Sequence, residues 1–402
     1  MDVIGSSDIR ARNSSLMLKL MWEQKQISRA EIARQMGLSR STVSSIVNNL
    51  MGTGLLRTCG SGESIGGRRP ILLGFADDAF FLVGVEIGAT HVGVALTNLR
   101  AEVLVWRHAH HPVRDDPQGT LRTLVAFVHE CVEEAGTSLE QVVGVGIGVP
   151  SPVDPEDPVS MSPLIHPRWS EVNVAQSVGQ LLDVPIFIDN DANLGALAER
   201  WWGEGRDGRD LAYIKVATGI GAGYIIHGKI YRGAGGFAGE IGHTTISTDD
   251  RMVSLQSLIG TQALIARAKH LLDQQHPNSL LAGSEVTLQA LIEATRAGDL
   301  LCRQLIDETG AYLGIAIANL LNLLNPATIV LGGALASLDD LLLHPIRQAI
   351  RDRTLWATIA QSRLVTSSIG KRAIAVGAAT RVLEAALDNH QLFPALRARS
   401  SN

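Results

Sequence analysis

Along residues 26–75 the apolar positions recur first at a helical and then at an extended period. Ile32, Ala33 and Met36 share one face of a short helix, which Ser28-Arg29-Ala30-Glu31 opens with the spacing of a capping box. Gly37 permits a tight turn, and Ser39 caps a second helix in which Val43, Ile46, Val47 and Leu50 return at helical spacing. The opposite face of that helix carries Arg40, Ser41, Thr42, Ser44, Ser45, Asn48 and Asn49, short polar side chains and one arginine that suit base edges and phosphates. Leu55 and Leu56 then start a strand, a Gly/Ser-rich stretch spans 59–67, and Arg68-Arg69-Pro70 leads into a second apolar run, Ile71–Phe75. The pattern predicts a winged helix-turn-helix over residues 1–75, with a basic tip held extended by the proline. Adjacent arginines beside glycines are what a narrow A·T-rich minor groove attracts. A surface helical hairpin followed by a basic linker is the plainer alternative.

From about residue 80 the pattern becomes apolar strands, glycine turns and amphipathic helices in alternation, which predicts an α/β body. A strand at 81–87 enters the turn Gly88-Ala89-Thr90, and strands at 92–97 and 102–107 complete a meander. A helix at 121–135 leads to the buried strand 142–149 and a Gly/Pro loop, so a crossover connection is implied. The second half repeats the theme. A strand at 184–188 carries Asp189-Asn190-Asp191-Ala192-Asn193 at its carboxyl end, where α/β sheets bind ligands, and 194–202 reads as helix. Strand 211–216 runs into Ala217-Thr218-Gly219-Ile220-Gly221-Ala222-Gly223, a second glycine turn whose N–H groups could meet an anion, followed by a strand at 224–226. Residues 301–324 predict a long helix, 329–332 a strand and 370–387 a closing helix. Trp201 and Trp202 read as packing residues, with a pocket-wall role left open.

Charge sharpens the division. The chain of 402 residues has a net charge of −5, yet residues 1–75 carry 10 Lys+Arg against 5 Asp+Glu, leaving an acidic body. A basic reader on an acidic body fits DNA as partner, and paired half-sites predict a homodimer or homotetramer on a palindromic operator. No run of ~18 apolar residues appears, and no apolar signal segment opens the chain, so no membrane association and a cytoplasmic location are expected. The three cysteines, Cys59, Cys131 and Cys302, are too scattered for a disulfide framework or a metal set.

Residues 217–243, ATGIGAGYIIHGKIYRGAGGFAGEIGH, together with Asp189 to Asn193 and Leu331-Gly332-Gly333-Ala334, resemble the ROK family, which groups bacterial sugar-responsive repressors with sugar kinases. The resemblance spans nearly the whole chain. It implies a two-lobed actin-like, ribonuclease-H-like ATPase fold behind the winged helix, with lobe 1 at 76–190 plus the helix at 371–388 and lobe 2 at 191–370. The front domain groups the chain with the repressors. Asp191 matches the kinase general base, and Asn190, Asp191, Glu240 and His243 match residues that hold the sugar. Asp191 as an ordinary helix-start carboxylate and His243 as a structural loop residue are the alternatives. Nucleotide contacts would fall on Glu86, Gly88, Thr90, Thr218, Gly219, Gly221 and Gly333.

The departures from the family pattern are informative. Many members follow the Gly-His pair with three close cysteines that bind a structural zinc, and with a further sugar-binding glutamate. Here residues 244–254 read TTISTDDRMVS, and Cys302 lies 59 residues past His243, so no zinc is expected. Glu86-Ile87-Gly88-Ala89-Thr90 replaces the kinase Asp-Ile-Gly-Gly-Thr, His91 stands where lysine is common, and Ala217, Ala222 and Ala334 replace glycines. These changes argue against efficient phosphoryl transfer and leave ATP binding doubtful, so no catalytic residue and no cofactor are expected. The leading expectation is a DNA-binding transcriptional regulator of carbohydrate metabolism, a repressor with a sugar or sugar-derivative effector bound between the lobes. A sugar kinase with an accessory DNA-binding domain is the alternative.

Overall fold

The computed structural model describes residues 6–63, 69–153, 167–208, 210–248, 251–275 and 278–400. The chain divides into two units, one of Met1–Gly148, Glu171–Ile188 and Ala378–Asn402, the other of Val149–Ser170 and Asp189–Gly377.

The first unit begins with helix α1 (Ser6–Gln24), strand β1 (Gln26–Ser28), helices α2 (Arg29–Met36) and α3 (Arg40–Met51), and the hairpin β2 (Leu56–Ser61) and β3 (Ile71–Phe75). The three strands order β1-β3-β2, all antiparallel, which makes the hairpin a wing. Ser28 Oγ accepts from Glu31 N–H at 3.2 Å, and Gly37 takes the left-handed φ of 65° that ends α2. The capping box closes on one side only, because the Glu31 carboxylate accepts from Arg34 and Gln35 instead. Ile32, Val43, Ile46, Val47 and Leu50 are buried, together with Met17, Leu18 and Met21 of α1. Helix α1 carries no clear apolar repeat, and the sequence reading gave it no element. The wing tip at 64–68 lies outside the described residues.

The same unit continues with β4 (Phe81–Ile87), β5 (His91–Thr97), β6 (Val103–His110), α4 (Pro117–Glu134), β7 (Val142–Val149), α5 (Val174–Leu182) and β8 (Ile186–Asn190). Its sheet orders β6-β5-β4-β7-β8, an antiparallel meander extended by a parallel crossover from β4 to β7.

The second unit contains α6 (Asp191–Trp202), the meander β9 (Leu211–Val216), β10 (Ile220–Ile226) and β11 (Lys229–Tyr231), and the small hairpin β12 (Thr245–Ser247) and β13 (Met252–Ser254). Helices α7 (Leu255–Ile259), α8 (Thr261–Gln275), α9 (Leu288–Ala297) and α10 (Leu300–Leu324) follow, then β14 (Thr328–Gly332), α11 (Asp340–Arg351), α12 (Trp356–Gln361) and β15 (Arg363–Thr366). The chain ends with α13 (Ala373–Asp388) and α14 (Pro394–Ser400). The sheet orders β11-β10-β9-β14-β15, with β14 parallel to both β9 and β15. Numbered within its own half, each large sheet has the order 3-2-1-4-5, so the two halves repeat one topology.

The second glycine turn is shorter than the sequence pattern suggests. Ala217 N–H donates to Gly219 C=O at 3.1 Å, and β10 already begins at Ile220, so Gly221 and Gly223 are strand residues. Gly223 serves packing: a Cβ there would stand 2.2 Å from the Ala192 carbonyl oxygen of α6.

Candidate functional site

Helix α3 carries the candidate DNA-reading face. Ser39 Oγ accepts from Thr42 N–H at 3.1 Å, and burial of Val43, Ile46, Val47 and Leu50 turns Arg40, Ser41, Ser45 and Asn48 outward. Thr42 and Ser44 are half-buried, and the hydroxyls of Ser41 and Thr42 stand 2.9 and 2.8 Å from Ser39 Oγ. Arg69 is exposed at the start of the wing's return, while Arg68 lies outside the described residues. Two arginines that the sequence reading passed over join this face. Arg10 of α1 donates from Nη2 to Ser45 Oγ at 2.9 Å, and Arg29 at the start of α2 donates from Nη2 to Asn48 Oδ1 at 3.1 Å. Their positive charge was the only signal that could have marked them.

The second unit holds the candidate sugar residues around the start of α6. Asn190 is the N-cap: its Oδ1 accepts from Ala192 N–H at 2.9 Å and Asn193 N–H at 3.2 Å, and its Nδ2 donates to the Ser151 carbonyl at 3.1 Å. Capping therefore takes up the amide oxygen and leaves one amide hydrogen for a hydroxyl. Asp189 is buried, accepts from Asn190 N–H at 2.8 Å and Asn193 Nδ2 at 3.2 Å, and is ion-paired with Arg232. Asp191 Oδ2 accepts from Lys215 Nζ at 2.6 Å, and the two side chains are only 9% and 12% exposed.

Arg232 and Lys215 thus complete a set of two carboxylates and two cations that was not foreseen. Lys215 is the one charged residue of β9, an interruption in an apolar strand that could have flagged it. Burial pushes the Glu240 carboxyl above its usual range; His243 pulls it back, and the charge of Asp191 adds to the rise. His243 is exposed, with Nε2 3.9 Å from Glu240 Oε2. Glu240 therefore lies within electrostatic reach of both Asp191 and His243, and the three offer acceptors and one ring that can donate or accept to a polyol.

The residues do not fit a zinc ion. No cysteine follows His243 in the loop, and Cys131 and Cys302 are buried elsewhere, with thiols pushed up by burial to about 11 and about 12. Among the described residues no cluster of three His, Cys, Asp or Glu could hold a metal.

Of the phosphate-side candidates, Glu86 is buried with Oε1 3.2 Å from His91 Nε2, and the His91 ring lies across Gly88, where a Cβ would meet Cε1 at 2.2 Å. The imidazole therefore packs against the Cα of Gly88. Thr90 is exposed, and its carbonyl accepts from His111 N–H at 2.9 Å. In the other half Thr218 and Gly221 are half-buried, Gly219 is exposed, and Gly333 has a φ of 91° with its Cα face against the Val216 carbonyl. Among the described residues no helix is long and apolar enough to cross a membrane.

Comparison with known proteins accounts for both parts. Residues 82–385 match the model of the ROK family, and residues 13–57 match a winged helix-turn-helix DNA-binding model. A xylose repressor of Caldicellulosiruptor bescii is 33% identical over 381 residues, which cover 92% of this chain and 95% of the relative. The DNA-binding transcriptional dual regulator NagC of Escherichia coli K12 is 28% identical, covering 96% of each chain. Among solved structures, a ROK family transcriptional regulator described as a homolog of the E. coli MLC protein superposes with a TM-score of 0.80 at 26% identity, covering 97% of this chain and 99% of that one. A ROK family glucokinase from Streptomyces griseus, in complex with glucose and AMPPNP, gives a TM-score of 0.67 at 26% identity and covers 75% of this chain and 98% of its own.

Proposed function

The chain belongs to the ROK family, and we propose that it is a transcriptional repressor of carbohydrate genes whose winged helix reads operator DNA and whose body takes a sugar or sugar derivative as effector. The observation that carries this reading is the outward polar face of α3, capped by Ser39 and fastened by Arg10 and Arg29. Ser45, Asn48 and Arg40 would meet bases and phosphates in the major groove, and Arg69 the adjoining backbone or minor groove. A second copy of the chain would supply the second half-site of a palindromic operator.

The sugar would lie on Asp191 and Glu240, with the remaining amide hydrogen of Asn190 and the ring of His243 as further contacts. Sensing rather than phosphorylation is favoured by two contacts. A base must accept a proton from the attacking hydroxyl, but Asp191 Oδ2 already accepts a hydrogen bond from the Lys215 ammonium. The His91 ring covers Gly88, where a kinase brings backbone to phosphate. Neither a zinc ion nor a nucleotide is part of this reading. Incubation of the full-length protein with ATP, Mg²⁺ and a sugar panel tests the kinase alternative: turnover abolished by Asp191→Asn would establish it. Operator capture from genomic DNA, with and without each sugar that raises the melting temperature, tests the regulator.

A further inference from the structure

Arg10 and Arg29, which reach α3 from α1 and α2, do more than add charge, because each fixes the hydrogen-bonding sense of the side chain it holds. Arginine can only donate. The bond from Arg29 Nη2 to Asn48 Oδ1 therefore sets the amide with its oxygen toward the guanidinium and its –NH₂ group away from it. The same Nη2 also donates to Met51 Sδ at 3.5 Å, which gives the guanidinium a second hold on α3. The bond from Arg10 Nη2 to Ser45 Oγ likewise makes that hydroxyl an acceptor toward Arg10, leaving its own proton to be donated elsewhere. Ser45 and Asn48 are three residues apart, both exposed, and so lie on the same helix face.

Adenine is read by an asparagine that offers Oδ1 to N6 and Nδ2 to N7 at once, whereas guanine presents two acceptors, N7 and O6. An Oδ1 that already carries a guanidinium hydrogen bond has one of its two lone pairs taken and is the weaker acceptor for the N6 amino group, whereas both hydrogens of the –NH₂ group stay available to the acceptors of guanine. We propose that Arg29 and Arg10 are specificity-determining residues that make this face of α3 a donor surface, so that Asn48 selects guanine rather than adenine and Ser45 selects an acceptor edge beside it. This inference rests on the DNA-reading role proposed above.

Selection of double-stranded DNA from a randomised pool by the full-length protein, followed by anisotropy titrations, tests it. Asn48→Ala identifies the base pair read by Asn48 as the position at which preference flattens. That position holds guanine for the unaltered protein. Arg29→Ala frees Oδ1 and moves the guanine-to-adenine affinity ratio at least tenfold toward adenine, while Arg29→Lys, which still donates, keeps guanine. Adenine at that position in the unaltered protein overturns the inference whatever the variants do, as does an unchanged ratio in an Arg29→Ala protein that still binds. Failure to enrich any DNA overturns the regulator reading itself and this inference with it, whereas enrichment with the wrong base overturns this inference alone.

Discussion

The Nζ of Lys215 stands 2.6 Å from Oδ2 of Asp191, an almost fully enclosed ion pair at the start of α6. Strand β9 brings the ammonium to this point with Gly221 and Gly332, which carry no side chain, as its cross-strand partners. In a relative that phosphorylates sugar, the matching aspartate would face the hydroxyl it activates. Here the same carboxylate is held by a cation.

Removing one partner of such a pair leaves the other charged and poorly solvated, a loss on the order of 3–5 kcal/mol. Lys215→Met is expected to lower the unfolding free energy by about that much in urea titrations, and Lys215→Met combined with Asp191→Asn is expected to recover most of it. Equal destabilisation by the single and the double variant would mean that the pair is not coupled.

The sequence made the duplicated α/β body and the winged helix legible because both rest on strong periodicities, the apolar strands ending in glycine turns and the Val43, Ile46, Val47, Leu50 stripe. Helix α1 was not legible for the opposite reason, since the buried Met17, Leu18 and Met21 lie in the run 16–22, LMLKLMW, which is apolar on every side but Lys19 and shows no helical repeat. The candidate sugar residues were nominated through family resemblance, but their partners Lys215 and Arg232 were not. Ion pairs between residues 24 and 43 positions apart leave no local pattern. Asn190 is nominated in the sequence as a sugar contact, and only the fold reveals that its oxygen caps α6.

Ser15 and His390 join α1 to the C-terminal segment of the first unit. His390 N–H donates to Ser15 Oγ at 3.2 Å, and Ser15 Oγ lies 3.0 Å from His390 Nδ1, an arrangement in which the serine hydroxyl donates to a neutral ring. Burial pushes this imidazole below its ordinary value. The folded state therefore disfavours the proton that the unfolded chain takes up near pH ~6.5, and this contribution to stability is present above that pH and is lost as pH falls through it toward the folded value. Melting temperatures measured from pH 7.5 to 5 should fall less steeply for His390→Gln than for the unaltered protein. Parallel slopes would remove His390 from the acid response.

Arg69 is exposed beside the described end of the wing. If it meets a phosphate, Arg69→Ala is expected to weaken operator binding and to reduce the slope of log affinity against log salt by about one unit. A weaker complex with an unchanged slope would instead make Arg69 a structural residue of the wing.

His91 lies over the first glycine turn and pairs with Glu86 at 3.2 Å. ATP with Mg²⁺ is expected to leave the melting temperature of the unaltered protein unchanged at millimolar nucleotide. His91→Ala uncovers Gly88, and any stabilisation by nucleotide should emerge there first. Saturation at about 100 times Kd would contribute about 2.7 kcal/mol, readily visible as a thermal shift. An ATP-dependent shift in the unaltered protein would contradict the view that the ring closes this turn.

A sugar bound at Asp191 is expected to change how tightly the winged helix holds DNA. The direct measurement is operator affinity by fluorescence anisotropy, with and without xylose, glucose and N-acetylglucosamine, for the full-length protein and for Asp191→Asn. A sugar that raises the melting temperature is expected to weaken operator binding at least tenfold, about 1.4 kcal/mol of coupling, and Asp191→Asn is expected to abolish the response. A sugar that binds yet leaves operator affinity unchanged, or a response that survives in Asp191→Asn, would contradict this coupling.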